Sequence, residues 1–530
     1  MVNKLKNISV LQPLDIVKKI YNYFTKTDKL ALVCTFASWM LVHLFVFVND
    51  FFVYDSVRLF DSSTGLENGR FLIYPILLLF ANCQIPLIIG IVSGIFVSFS
   101  SMLLCRIFKI DNPIYTVLLS LTLVSFPVMY ANNAFLSSAH IYTLALLLSV
   151  LAAYYTYKNT LRGYAFAALF VIASLACYQA YLPFAVCLVL LMTLVDSLNE
   201  KKPSELIKRL VITGVVFVIA VGIYYCIWQS LVDVFNITTY EYRGESEGLA
   251  TFFSLDIVSR MIQAYILGFF MMVKGLFYHG DLAIMVVGRI VKVCILVLSV
   301  ILLIASFKSK KHKFGNISMA ILSIIGLPLG VGLIYVFSPF SPHNLMVFPV
   351  FSIWLLLIVL SKQLIEDKKT VHKVLEWAVV VLLILSILIN VICGNIGYSI
   401  LSSESKSAIT FVTRIVNRVE STDGVDIGTN VCFVSDEHWF YNERLYENRE
   451  NERTTAECFT NFTIVSLLGT PYVNALIWYI NDNANYLELN YSYQDLQDGD
   501  YANNKQVQQL QPFPAKNCSV WVNDTLVIRL

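Results

Sequence analysis

Asp50, Asp55, Asp61 and Glu67 crowd the stretch between the first two long apolar runs, together with Arg58 and Arg70. Carboxylates are costly beside a bilayer and need a reason to be there. Held level with lipid headgroups and partly desolvated, such a group has its pKa raised toward neutrality and can take a proton from a hydroxyl as a general base. Guanidinium matches phosphate oxygens in a fork, so Arg58 and Arg70 suit a lipid-borne phosphate as the leaving group. Asp50 and Asp55 lie five residues apart, on different faces of a continuous helix but able to converge on a loop. These two are the candidate catalytic residues; Asp61 and Glu67 read as plain loop residues. The bland alternatives are a solvated cap for each carboxylate and snorkelling to headgroups for each arginine.

Further along, Arg289 and Lys292 stand a turn apart near the start of an apolar run, where charge is rare without a partner. They are candidates for the same phosphate. Lys274 and His343 are candidate substrate contacts, His343 because it closes a rigid two-proline turn at 338–343. Asn132-Asn133 and the turn at 178–181 read as polar loop tips able to meet sugar hydroxyls, while His43 and His140 read as structural.

The elements that must position these groups are membrane helices. At 57% hydrophobic and 14% charged residues, with a mean hydropathy of +0.68, the chain is too apolar for a water-soluble globule. Eleven spans are expected, at 30–48, 84–107, 113–129, 138–157, 163–178, 182–198, 210–229, 282–307, 317–336, 345–360 and 374–392. Such runs suffice to cross ~30 Å of hydrocarbon. Lysine and arginine alternate with uncharged loops, which places residues 1–29 in the cytoplasm and Asp50 and the C-terminal part outside. The first span reads as a retained signal anchor. The segment 252–278 is apolar but carries Asp256, Arg260 and Lys274, so it reads as an outward-facing interfacial or re-entrant helix; 69–79 reads as a second.

Beyond 394 the composition turns polar, and residues 395–530 are expected to form a small α/β domain outside the membrane. Apolar residues near helical spacing at 409–419, short strands at 430–434 and 464–468, and a hairpin at 519–530 turning at Asn523-Asp524 mark its elements. Cys432, Cys458 and Cys518 fall there, where a disulfide is permitted and the pairing is open.

A net charge of +2 gives no broad basic surface for nucleic acid. Walker, Rossmann, His-Glu-x-x-His and Gly-x-Ser-x-Gly patterns are missing, and no metal ligand set or cofactor motif is readable. The anchor ending in Asn49-Asp50, the acidic and aromatic loop after it, Gly69-Arg70 before the second span, and the closing hairpin at 519–530 resemble the membrane glucosyltransferases of the Gtr type II kind, within the GT-C class of polytopic glycosyltransferases. The acids expected side by side stand apart here as Asp50 and Asp55, and either can be the base.

The resemblance implies an all-α polytopic bundle and an inverting enzyme. It takes a sugar, usually glucose, from polyprenyl-phosphate at the outer face of the bacterial inner membrane. It passes the sugar to a lipid-linked surface polysaccharide such as O-antigen, with a separate flippase and donor synthase as partners; acidic loops can bind a divalent cation, but with no ligand set readable no metal or cofactor is expected. The competing readings are a flippase of lipid-linked sugars, which predicts cavity-lining charges deeper in the bundle, and a polysaccharide polymerase or ligase, which predicts reliance on arginines.

Overall fold

In the computed structural model the described residues are 18, 21–49, 65–80, 83, 85–237, 256–273, 277–278, 282–309, 313–337, 343–365, 370–435, 459 and 473–530. Helix falls within each of the eleven expected spans, several of them broken or partly 3-10. By length and composition seven described helices can cross a membrane, eight if the bent pair Pro113–Val124 and Pro127–Ala134 is one span.

The first helix, Lys26–Val42, opens on a capping box between Thr25 and Asp28 and is broken at His43 before Leu44–Val48. It lies against Pro86–Phe108 where Gly90 and Gly94 make room: a Cβ on Gly90 would strike the Phe47 ring at 2.6 Å, and one on Gly94 would meet Trp39 at 2.7 Å. Trp39 then donates its indole N–H to Gly90 O at 3.0 Å. Small residues four apart admit this close approach, the usual device where lipid offers no hydrophobic drive between helices.

The basic loops gather at one end of the bundle and neutralise their charges there. Arg106 grips Asp28 with two bonds of 2.9 Å, and Asp196 takes Arg209 at 2.6 Å and Lys201 at 2.8 Å. Lys362 reaches Asp111 at 3.1 Å. Gly315 lies against Pro203, which brings the lysines near 313 to the same end. Loops expected to share one face of the membrane therefore do share one end of the molecule.

Three expectations need correcting. The run at 113–129 is not one straight helix; it stops at Val124 and restarts at Pro127 with a 43° bend. Proline has no N–H to continue the ladder and sits here at a helix start. The helix expected at 69–79 shrinks to a 3-10 turn, Leu66–Asn68, and the short helix Ile73–Leu78. No break marks residue 394, because one helix, Thr370–Glu420, runs 51 residues through it, about 77 Å at 1.5 Å per residue.

Asp256–Val273 runs antiparallel to Phe314–Gly332, with Ala264 against Gly332 and Gly268 against Pro328 in backbone contact that a Cβ on either glycine would prevent. Its other face exposes Val258, Met261, Ile262, Tyr265, Ile266 and Phe269, a stripe that water would not tolerate but lipid would.

The far end of Thr370–Glu420 carries the C-terminal module. Its sheet has the order β2-β1-β4-β3, from β1 (Asn430–Ser435), β2 (Asn490–Asp495), β3 (Ser519–Val522) and β4 (Thr525–Arg529). β1 is parallel to both β2 and β4, and β3 and β4 form the expected hairpin. Alternation along β1 sends Val431 and Phe433 to a core with Phe411, Ile415 and Leu476, and Cys432 and Val434 to a second core with Leu496 and Val507. The helical spacing at 409–419 is thus the sheet-packing face of the long helix. Cys432 and Cys518 are free and buried, and burial pushes both thiols up. Cys458 and the strand expected at 464–468 lie outside the described residues.

Candidate active site

The first helix ends with Asn49 turning its amide back to Phe45 O at 2.8 Å. Asp50, Asp55, Arg58, Asp61 and Lys274 lie outside the described residues. The floor on which the loop after Asn49 returns is described. Gly65 and Gly69 both take positive φ, +81° and +76°, and fold residues 65–70 into a knot held by the helix Pro203–Phe235 and the 3-10 turn Gln179–Tyr181. Trp228 donates to Leu66 O at 2.7 Å, Tyr224 to Gly69 O at 3.0 Å, and Gln179 to Asn68 O at 2.6 Å. Gly69 is required twice over, by its left-handed backbone and because a Cβ there would collide with the Tyr224 hydroxyl.

That knot aims Arg70. Its Nε donates to Gln179 Oε1 at 3.1 Å, and its guanidinium lies 4.9 Å from the centre of the Tyr178 ring. Both are neutral groups, and together they set the plane of the guanidinium. Tyr178 and Gln179 come from the turn that sequence reading took as a loop tip.

Beneath it lies the broken helix. Asn132 and Asn133, expected as exposed tips, are fully buried, and so are Tyr130 and His140. The Pro127 bend folds this segment into the bundle, which hydropathy alone does not reveal. Asn132 donates to Tyr181 Oη at 2.6 Å, but among the described residues its carbonyl oxygen has no partner. Asn133 lies beside Tyr398 with neither amide atom in a well-formed hydrogen bond. Tyr130 Oη, Ser137 Oγ, both ring nitrogens of His140 and the amide nitrogen of Asn390 are likewise unsatisfied. Phe80, from the segment that carries Arg70, packs on the His140 ring at 4.6 Å. Each such buried orphan costs about 1–3 kcal/mol, and native cores hold few of them.

Arg289 and Lys292 sit on the other flank. Arg289 is exposed and donates to Tyr278 O at 3.1 Å, while Tyr278 hydrogen-bonds Asn390. Lys292 is buried and points its ammonium at Met271 O, 3.4 Å away, in the last turn of Asp256–Val273, where a cation meets the negative end of the helix. His343 precedes the 3-10 turn Asn344–Met346, which packs on Pro127–Ala134. Ring contacts link the flanks: Tyr178 to Tyr181, Tyr181 to Phe348, Phe348 to Phe126 and Phe126 to Phe277, next to Tyr278. Arg70, Arg289, His343 and the buried amides therefore border one end of the bundle, opposite the ion-paired loops. Tyr224 and Trp228 escaped sequence reading; their four-residue spacing on one helix face was the available signal. His43 is structural as expected, bonded to Tyr398 Oη at 2.9 Å and Val124 O at 3.1 Å.

The sequence matches the family Glucosyl transferase GtrII over residues 44–361. The chain belongs to that family. No curated protein and no solved structure matches it. This GtrII glucosyl transferase is thus a glycosyltransferase with several membrane-type helices. The matched region takes in the first loop, Arg70, the broken helix, Arg289, Lys292 and His343, and stops before Thr370–Glu420 and the α/β module.

Proposed function

We propose that this GtrII family member moves glucose from polyprenyl-phosphate to a lipid-linked surface polysaccharide at the extracytoplasmic face of the bacterial inner membrane. The observation that carries the reading is the collection of buried, unsatisfied polar atoms on residues 130–140, at the end of the bundle that holds Arg70. Neutral donors and acceptors suit the hydroxyls of a glucosyl head, and Arg70, with Arg58 and Arg289, suits the phosphate it leaves behind. Lys292 adds positive charge while holding the end of Asp256–Val273, and Lys274 and His343 are the further substrate contacts.

In the mechanism, Asp50 or Asp55 removes the proton from the acceptor hydroxyl as that oxygen attacks the anomeric carbon. The bond to the phosphate oxygen breaks on the opposite face, and polyprenyl phosphate leaves as an anion beside the arginines. One displacement inverts the anomeric centre. Its rate comes from positioning and from charge placed where the leaving phosphate develops.

The test is glucose transfer by purified protein in nanodiscs, with polyprenyl-phosphate-glucose and a lipid-linked acceptor. Asp50→Asn and Asp55→Asn, made singly and together, should leave at least one form with a loss of about 100-fold or more, the usual scale for a general base. Full activity in all three would overturn the mechanism.

A further inference from the structure

A polar pocket lies in the α/β module, and no step above uses it. Its volume is about 530 Å³, within the size range of small-molecule sites. It opens where the long helix ends and β1 begins, lined by Gly424, Gly428, Thr429, Asn430, Trp521, Asn523 and Asp524 among others. We propose that this pocket binds a neutral oligosaccharide, with a sugar ring laid on the Trp521 indole.

The first reason is the way Trp521 is held. It stands on β3, the edge strand of the sheet, half-buried against the core of the module. Its indole N–H donates to Asp423 O at 3.1 Å, which fixes the plane of the ring. A rigid aromatic face offers large contact area at little entropic cost, and the axial C–H bonds of a pyranose present a matching apolar face.

The second reason is the backbone. Gly424 and Gly428 both take positive φ, +88° and +79°, and the space a Cβ would occupy at Gly428 is open. The wall beside the indole is therefore main chain, with Gly424 packed along one side of the ring and open space at Gly428. Ile427 beside it is 74% exposed, an apolar side chain at the mouth of a polar pocket.

The third reason is the polar set. Asn490 Nδ2 donates to Asn430 Oδ1 at 3.2 Å and to Gly428 O at 3.0 Å, which turns the Asn430 amide nitrogen toward other acceptors. Asn523 and Asp524 form the exposed hairpin turn across from it. Amides and one carboxylate around an aromatic face suit vicinal hydroxyls, and no lysine or arginine is among the lining residues to favour phosphate or sulfate. Carbohydrate capture stands on these residues alone. That the captured chain is the glycan acceptor rests on the transfer reaction proposed above.

The experiment is binding of the full-length protein in nanodiscs to an array of neutral, sulfated and sialylated oligosaccharides. The wild type should retain neutral oligosaccharides; Trp521→Ala should lose at least tenfold of that signal, and Trp521→Phe should keep most of it. Asp524→Ala, at an exposed turn where folding is not at risk, should weaken binding severalfold with an unchanged melting temperature. No retention by the wild type, retention of anionic glycans only, or wild-type binding by both Trp521→Ala and Asp524→Ala would each overturn the proposal. Because the array needs no transfer, it reads independently of the Asp50 and Asp55 variants: glycan binding with a failed transfer test leaves this pocket standing and removes the mechanism.

Discussion

The two ends of the helix bundle treat polar groups in opposite ways. At one end the charges are joined to each other: Asp28 with Arg106, Asp196 with Lys201 and Arg209, Asp111 with Lys362. At the other, Arg70 is turned by a neutral amide and an aromatic ring, and neutral side chains from Tyr130 to His140 are buried with hydrogen-bonding capacity to spare. Bare polar atoms occur at the paired end too, where Arg209 Nε and Nη2, Thr213 Oγ1 and both amide atoms of Asn316 are buried without a hydrogen bond among the described residues; at the other end they fall on one continuous segment, residues 130–140. A pair of opposite charges needs nothing further, whereas a buried amide or imidazole without a partner is a standing cost that a ligand can remove. The ion pairs of the first end stabilise the fold; the second end carries the groups proposed to meet the substrate.

The largest effect that would sharpen this contrast is expected at Gly69. Gly69→Ala forces a Cβ into the Tyr224 hydroxyl and strains a left-handed residue, so Arg70 shifts. Misplacement of a positioning group by about 1 Å can cost on the order of 100-fold, and glucose transfer should fall by that scale. Wild-type activity in Gly69→Ala would show that the knot does not aim Arg70.

Next come the charge replacements. Arg70→Lys keeps the charge but loses the fork, so it should recover only a small part of the roughly 10- to 100-fold loss expected for Arg70→Ala, measured as kcat/KM for the polyprenyl-phosphate donor. Rescue to wild type by lysine would reduce Arg70 to a point charge.

A crossed pair of variants then separates stability from activity. Asp196→Asn strands Arg209 at the paired end and should cost about 3 kcal/mol, the scale for breaking a buried pair, while the folded enzyme keeps its turnover. His140→Phe removes two unsatisfied nitrogens, so it should leave thermal stability unchanged or raised while transfer drops. If His140→Phe destabilises and retains full transfer, the contrast between the ends fails.

The smallest effect is expected in the C-terminal module. Burial pushes the Cys432 and Cys518 thiols up, so alkylation in the folded protein at pH 8 should be slow and should accelerate only on unfolding. The linkage sign follows. The folded state holds these protons longer than the unfolded one, so their contribution to stability is present at neutral pH and lost as pH rises past the ordinary thiol range. Rapid labelling of both at pH 8 would contradict their burial.

Much of the bundle was legible in the sequence because apolar run length and lysine placement report on the bilayer directly. The hairpin at 519–530 was legible from alternation and from its Asn523-Asp524 turn. The site was only partly so. Asn132 and Asn133 read as a loop tip because hydropathy averages over the Pro127 break and cannot tell a polar segment outside the membrane from one folded into the protein. The contacts of Tyr224 and Trp228 with residues 66–69 cross more than 150 positions, and no local pattern encodes them. Thr370–Glu420 crosses the change in composition at 394 because it has one partner on each side: the bundle below and the sheet above.

The most direct test uses polyprenyl-phosphate-glucose with a photoreactive diazirine on the glucosyl ring, cross-linked to the protein in nanodiscs and mapped by peptide mass spectrometry. The account predicts labelled peptides from residues 65–80 and 130–140, with the 130–140 label lost in His140→Phe. Label confined to the ion-paired loops near 106–112 and 196–209, or unchanged by His140→Phe, would contradict it.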